Sequence, residues 1–194
     1  MPDPQPLPWP LVKKGRPLDF TILTLREDHV RHPHDGTVHP RVVIDAPDWV
    51  NVLALTPRNE AILVRQYRVG ISANTLELPG GMVDAGETPE HAASRELEEE
   101  TGYRAGKLVA LGFVHPNPAL QSNRIFTFLA LGCEAVTEQH LDAGEDIVVE
   151  LHSRHTLPRL VREGQVTHAL AVSALYLAEH VLAEPGATPT SGGK

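Results

Sequence analysis

Residues 78–87 read Leu78-Pro79-Gly80-Gly81-Met82-Val83-Asp84-Ala85-Gly86-Glu87, and residues 95–102 read Arg95-Glu96-Leu97-Glu98-Glu99-Glu100-Thr101-Gly102. Between them, Thr88-Pro89-Glu90 places a capping residue before a proline at the first helical position. The spacing predicts a helix running to Thr101, with Gly102 as its left-handed terminator. On that helix Glu96 and Glu100 stand four apart on one face, with Glu99 three from Glu96. Like charges at that spacing repel. They also fall in the last turns, where the helix dipole is negative and each carboxylate costs roughly 0.3–1 kcal/mol. Arg95 offers a partner to Glu99, but one arginine does not neutralise four glutamates. A run of charge is ordinarily a solvated face. Two features argue otherwise here: the acids sit at the wrong end of their helix, and the preceding loop is glycine-rich. Gly80, Gly81 and Gly86 let the backbone approach an ion or ligand closely. A hard divalent cation takes a cluster of carboxylate and carbonyl oxygens, which such a loop and helix supply together.

Working outward, residues 20–25, 38–46 and 49–56 read as strands rich in Val, Ile, Leu and Thr, with His34-Asp35-Gly36 as a turn. Further strands are expected at 61–67 and 75–78 before the helix, and at 107–114, 124–131 and 147–151 after it. Residues 157–163 form a short helix stopped by Gly164. A longer helix follows Thr167, with Leu170, Ala174, Leu175, Ala178, Val181 and Leu182 as one apolar stripe. Strands on both sides of a central helix, with helices at the end, point to a mixed sheet packed between helices. Pro-rich residues 1–10 read as an extended arm and residues 184–194 as a flexible tail.

The chain has 194 residues, 41% of them apolar and 22% charged, which is ordinary globular composition. No apolar run is long enough to span a membrane, and no secretory signal is visible at the start, so a cytoplasmic protein with no membrane partner is expected. The net charge of −8 argues against a nucleic acid partner and implies that a phosphorylated substrate arrives with cations. Cys133 is the single cysteine, which excludes an intrachain disulfide and reads as a small buried residue. His29, His32, His34 and His39 lie close in sequence, but Pro33 interrupts them and they read as ordinary surface residues rather than zinc ligands.

The segment 81–103 resembles the Nudix box, whose pattern is Gly, five residues, Glu, seven residues, then Arg-Glu-apolar-any-Glu-Glu-any-Gly-apolar. Gly81, Glu87, Arg95, Glu96, Leu97, Glu99, Glu100 and Gly102 fall in place, and Tyr103 stands where an aliphatic residue is more usual. Beyond the box, Gln66-Tyr67-Arg68, Leu76-Glu77-Leu78-Pro79, the strands of 19–46 and Gly144-Glu145-Asp146-Ile147 resemble the branch acting on ADP-ribose and related nucleoside diphosphate sugars. In residues 116–124 the chain carries amides where that branch often has an acid. The resemblance implies an α+β fold: a Nudix-like αβα sandwich with a mixed sheet, plus a small N-terminal antiparallel β subdomain. The expected layout is that subdomain over 11–47, exchanged across a homodimer, and the hydrolase domain over 48–183.

It further implies metal-dependent hydrolysis of ADP-ribose or a similar small-molecule nucleoside diphosphate to a nucleoside monophosphate and a sugar phosphate, with Mg²⁺, or Mn²⁺ as substitute. Glu96 and Glu100 would be the main metal ligands, helped by Glu99 and the Gly80 carbonyl. Arg95 and Glu87 would brace the loop against the helix, with Gly81 and Gly102 as the structural glycines of the box. The general base is sought among Glu145, Asp142 and Glu99. Arg68, with a guanidinium suited to bidentate phosphate contact, and Arg124 are expected at the substrate, and Phe20 or Trp9 at its base. A triphosphate or oxidised-nucleotide pyrophosphohydrolase and a non-catalytic nucleotide-sensing module are the competing functions.

Overall fold

The computed structural model describes residues 5–183, so residues 1–4 of the expected arm and the 184–194 tail lie outside it. The chain divides into two compact units, one of residues up to 47 together with 117–123, the other of residues 48–116 and 124 onward.

The first unit is an antiparallel sheet. Its strands are β1 (Leu11–Lys13), β2 (Leu18–Asp19), β3 (Thr24–Arg31) and β4 (Val38–Asp45), with β3 pairing all three others. The strand expected over 20–25 is divided differently. Phe20 donates its N–H to the Leu23 carbonyl at 2.9 Å and closes a turn, and β3 begins only at Thr24. The β-branched pair Thr21-Ile22 mimics a strand locally, but the pairing of Asp19 with Thr24 leaves those residues to the connection. The segment 117–123 joins this unit by bonding to β4 and its end: Ile44 N–H to Leu120 O at 2.8 Å, and Asn123 Nδ2 to Pro47 O at 3.0 Å.

In the second unit, β5 (Trp49–Leu55), β6 (Glu60–Arg68) and β7 (Ala73–Glu77) precede α1 (Pro89–Thr101). After it come β8 (Tyr103–Arg104), β9 (Lys107–Val114), β10 (Ile125–Leu131), β11 (Glu134–Ala135) and β12 (Ile147–Ser153). Two helices close the unit, α2 (Leu157–Arg162) and α3 (Ala169–Ala183). The main sheet runs β12-β6-β5-β10-β9, with β7 also on β6. Among the described strands only β5 and β10 are parallel neighbours, from Ile125 opposite Trp49 to Leu131 opposite Leu55, so the sheet is mixed.

Alternation along the strands sends side chains to two apolar layers. Leu53, Leu55, Leu63, Leu76 and Leu129 pack with Leu157, Leu160, Ala171, Ala174 and Ala178 of α2 and α3. Val50, Val52, Ala54, Ile62 and Phe128 pack with Ala92, Ala93 and Leu97 of α1. The sheet is therefore sandwiched between α1 and the terminal helices, an αβα arrangement. Cys133 is buried, its thiol pushed up to about 11 by that burial. No helix among the described residues is long and apolar enough to cross a membrane.

Candidate active site

The loop after β7 is laid along β5 by three backbone bonds: Val52 N–H to Pro79 O, Val50 N–H to Gly81 O and Val83 N–H to Asp48 O, each 2.9 Å. The close approach to β5 is why glycine is needed at Gly80. A Cβ on Gly80 would lie 2.2 Å from the Val50 carbonyl oxygen, and one on Gly81 would lie 2.4 Å from Glu96 Oε1. The loop thus presses its backbone both onto the sheet and onto a carboxylate of α1. Its far end is a turn in which Glu87 N–H bonds Asp84 O at 3.0 Å and the Glu87 carboxylate accepts the Asp84 N–H at 3.1 Å. Thr88 then caps α1 by accepting from the His91 N–H at 3.2 Å.

Arg95 uses every donor it has. Its Nε and Nη2 grip Glu87 at 3.1 and 3.0 Å, Nη2 also bonds the Met82 carbonyl at 3.0 Å, and Nη1 bridges Glu96 and Glu99 at 2.9 Å each. The guanidinium ties loop to helix and has nothing left for a substrate. The Glu87 carboxyl is lowered to about 2 by Arg95.

Glu96 and Glu100 differ from their neighbours in being ionisable groups inside the protein. Glu100 is 4% exposed, and its Oε2 accepts the Gly80 N–H at 2.8 Å. Burial pushes its carboxyl up to about 8, against the pull of that N–H, with the charges of Glu96 and Glu145 adding to the rise. Burial likewise pushes Glu96 up to about 7, against Arg95 and with help from Glu99 and Glu145. These two acids lack enough positive charge. Glu99, by contrast, keeps a half-exposed side chain.

The C-terminus of α1 is held by the segment leading to the later acidic loop. Gly102, at φ 75°, returns its N–H to Glu98 O at 2.8 Å. The Glu99 carbonyl accepts from His140 N–H at 2.8 Å, and the Glu100 carbonyl accepts from Gln139 Nε2 at 2.6 Å. Gln139 also bonds Ile147 O at 3.2 Å, joining the two roots of the loop. Within it, Asp142 N–H bonds the Glu145 carboxylate at 3.0 Å, and Glu145 N–H bonds Asp142 O at 3.1 Å. Glu145 is near enough to the box for its charge to act on Glu96, Glu100 and Arg68. Asp142 contributes its main chain to the turn.

Arg68 leaves the end of β6 and is clamped by Glu77 of β7, Nε at 2.8 Å and Nη2 at 2.9 Å. Glu77 is 2% exposed and is also met by Thr75 Oγ1 at 2.5 Å and His168 Nδ1 at 2.6 Å. Burial would push its carboxyl up, but Arg68, His168 and Thr75 together pull it well below the ordinary carboxylate range. Arg124 is bound to Asp48 through Nη2 and its N–H, both at 2.7 Å, and lies 5.0 Å over the Phe126 ring. Phe20 belongs to the first unit, where it is 60% exposed, and Trp9 of that unit packs on His32 at 4.8 Å and under Arg41 at 5.1 Å.

The structure thus brings together Gly80, Gly81, Glu87, Arg95, Glu96, Glu99 and Glu100, with Glu145 and Arg68 within electrostatic reach. Glu77, Gln139 and His168 were not foreseen. The signals for Glu77 are its place in the Leu76-Glu77-Leu78-Pro79 stretch that resembles the ADP-ribose branch and its position on the Arg68 face of the hairpin, where Gln66 opposes Thr75 and Val64 opposes Glu77. Gln139 and His168 carry no local signal.

Among the described residues no three His, Cys, Asp or Glu side chains form a ready-made metal cage. The donor set nevertheless fits a hard divalent ion. It is all oxygen, two of its carboxylates are under-compensated by the residues around them, and the Gly81 position leaves the Glu96 carboxylate a place against the backbone that a Cβ would fill.

Residues 47–171 match the family described as the NUDIX domain. The chain is 35% identical to the ADP-ribose pyrophosphatase of Bacillus subtilis (strain 168), over 67% of this chain and 69% of that protein. It is 30% identical to the ADP-ribose pyrophosphatase of Mycobacterium tuberculosis, over 87% of this chain and 81% of that one. Among solved structures, one described as an ADP compounds hydrolase superposes with a TM-score of 0.83 at 21% identity, over 95% of this chain and 99% of that one, a likeness of fold.

Proposed function

The chain belongs to the Nudix family, and from that premise we propose that it hydrolyses the diphosphate of ADP-ribose or a related nucleoside diphosphate sugar. Water adds to one phosphorus, the bridging P–O bond breaks, and a nucleoside monophosphate and a sugar phosphate leave. The observation that carries this reading is the pair Glu96 and Glu100, the first partly and the second fully buried, both short of positive charge beside a glycine loop that presses its backbone onto them. Substrate class is supported by the names of the two relatives.

Glu96, Glu99, Glu100 and the Gly80 carbonyl would hold Mg²⁺, with Mn²⁺ as substitute. Bound there, the ion supplies positive charge to offset the carboxylates and the phosphate oxygens. Arg95 and Glu87 fix the loop on the helix so that the carboxylates stay aimed. Arg68 binds a phosphate oxygen with the edge of its guanidinium not taken by Glu77. Glu145, in the turn tethered by Gln139, is the general base for water, with Asp142 shaping that turn and Glu99 a further candidate. Arg124, immediately ahead of β10, supports the substrate. The first unit exposes Leu11, Val12, Leu18, Ile22, Val38 and Val42, which supports a homodimer made through it; a cytoplasmic location is part of the same proposal. Light scattering at micromolar concentration returning the 21.2 kDa monomer would count against that assembly.

A substrate panel tests the function: ADP-ribose, other nucleotide sugars, dinucleoside polyphosphates and oxidised dGTP, each with Mg²⁺ and with Mn²⁺. AMP and ribose 5-phosphate from ADP-ribose are expected. Turnover of the triphosphates alone overturns the substrate reading, and no turnover of any diphosphate leaves the nucleotide-sensing alternative standing.

A further inference from the structure

Desolvating a carboxylate as deeply as at Glu77 is costly, and Arg68, His168 and Thr75 together outweigh that cost. The same contacts fix the arginine. A guanidinium has two edges able to make paired hydrogen bonds, Nε with Nη2 and Nη1 with Nη2. Glu77 takes the first, at 2.8 and 2.9 Å, while the Arg68 side chain remains 45% exposed. Glu77 in turn has its orientation fixed from two sides. Thr75 Oγ1 holds Oε1 at 2.5 Å, and His168 Nδ1 reaches Oε2 at 2.6 Å from the residue just before α3. His168 is itself anchored, its carbonyl accepting the Val172 N–H at 3.1 Å in the first turn of that helix. The charges of Glu100 and Glu145 both act on the guanidinium, which lies within electrostatic reach of them.

We propose that Glu77, backed by His168, is a positioning residue that sets the direction of Arg68, holding one edge of the guanidinium so that the other is presented to the diphosphate. The proposal rests on Arg68 as a phosphate ligand. A plain latch pinning α3 to the β6–β7 hairpin would make the same contacts, but it would act on stability and not through Arg68. Glu77→Gln separates the two. Glutamine keeps the size of the side chain but sets an NH₂ group against one arm of the guanidinium fork, so a paired grip becomes a single bond.

The experiment is a double-mutant cycle in the full chain, hydrolysing ADP-ribose with Mg²⁺. Arg68→Ala and Glu77→Gln are each expected to raise KM roughly tenfold while kcat stays within about threefold, and the double variant to be no worse than Arg68→Ala alone. His168→Ala should raise KM about threefold, and His168→Asn, which still offers an N–H, should recover most of it. Should Glu77→Gln fail to fold, the cycle is run with His168→Ala, whose parent side chain is partly exposed. Defects that multiply in the double variant, or a normal KM for Glu77→Gln beside an impaired Arg68→Ala, overturn the proposal. A normal KM for Arg68→Ala instead overturns the phosphate-binding reading on which it rests.

Discussion

At the level of single side chains, Glu100 combines two properties that do not coexist without a reason: it is 4% exposed, and it is crowded by the like charges of Glu96 and Glu145. Its one compensating contact is the Gly80 N–H at 2.8 Å. Glu100→Gln keeps an oxygen for that N–H and removes the charge. The expectation is a split outcome. Turnover should fall by more than the roughly 10–100-fold typical of residues that merely support a metal ligand, while the metal-free protein melts no lower than the parent at pH 8. Steady-state kinetics and thermal melting without metal check both halves, and a variant of parental activity removes Glu100 from the ligand set. The same scale shows what sequence can and cannot convey. Arg95, Glu96, Glu99 and Glu100 were legible because helical periodicity fixes their mutual positions once a helix is granted, whereas Glu87, in the loop ahead of the helix, was placed only by the resemblance to the Nudix box. The contact of Glu77 with His168 was not legible, because the two are 91 positions apart and meet only through the packing of α3 on the sheet.

Among the elements, α1 was legible to the residue. Thr88 accepts from His91, Pro89 occupies the first turn, and Gly102 adopts φ 75°, each a local preference that the tertiary structure reinforces. The contrast is the start of β3. There Thr21 and Ile22 have strand propensity, yet Phe20 folds back onto Leu23, because pairing partners and not propensity place a strand end. The two-residue β8–β11 ladder was invisible for the same reason: nothing in Tyr103-Arg104 announces Glu134-Ala135 as its partner. Gly102 carries the element-scale prediction. A Cβ there would meet a left-handed backbone and lie 2.3 Å from the Thr137 carbonyl oxygen, in the segment that leads to Gln139 and Glu145. Gly102→Ala is therefore expected to cost about 1–2 kcal/mol from the backbone conformation alone, with more from the clash. Urea unfolding measures the loss. Since the displaced segment carries the candidate base, kcat should fall together with stability, and a variant losing stability at full kcat would separate Glu145 from the chemistry.

For the whole molecule, the ionisations around the site couple stability to pH in two separate windows. Glu77 and Glu87 are held below their ordinary range, by the partners that outweigh burial at Glu77 and by Arg95 at Glu87, so they stabilise the fold above an unfolded value near 4.5 and that contribution is lost as pH falls further. Glu96 and Glu100 work in the opposite sense. Their folded values are raised to about 7 and about 8, so the stabilisation belongs to the protonated forms, is complete below about 4.5 and drains away as pH climbs through 7 and 8. The metal-free protein should accordingly lose melting temperature between about pH 5 and pH 8, and Glu100→Gln should flatten that slope. A divalent ion binds the ionised carboxylates and must compete with protons for them, so its stabilising effect grows over the same interval. Melting curves in EDTA and in millimolar Mg²⁺ at pH 6 and pH 8 test the coupling: the gain from Mg²⁺ is expected to be larger at pH 8. If instead the metal-free protein is equally stable at both values and Mg²⁺ adds the same increment at each, Glu96 and Glu100 are not the groups that receive the ion, and the proposed ligand set fails with them.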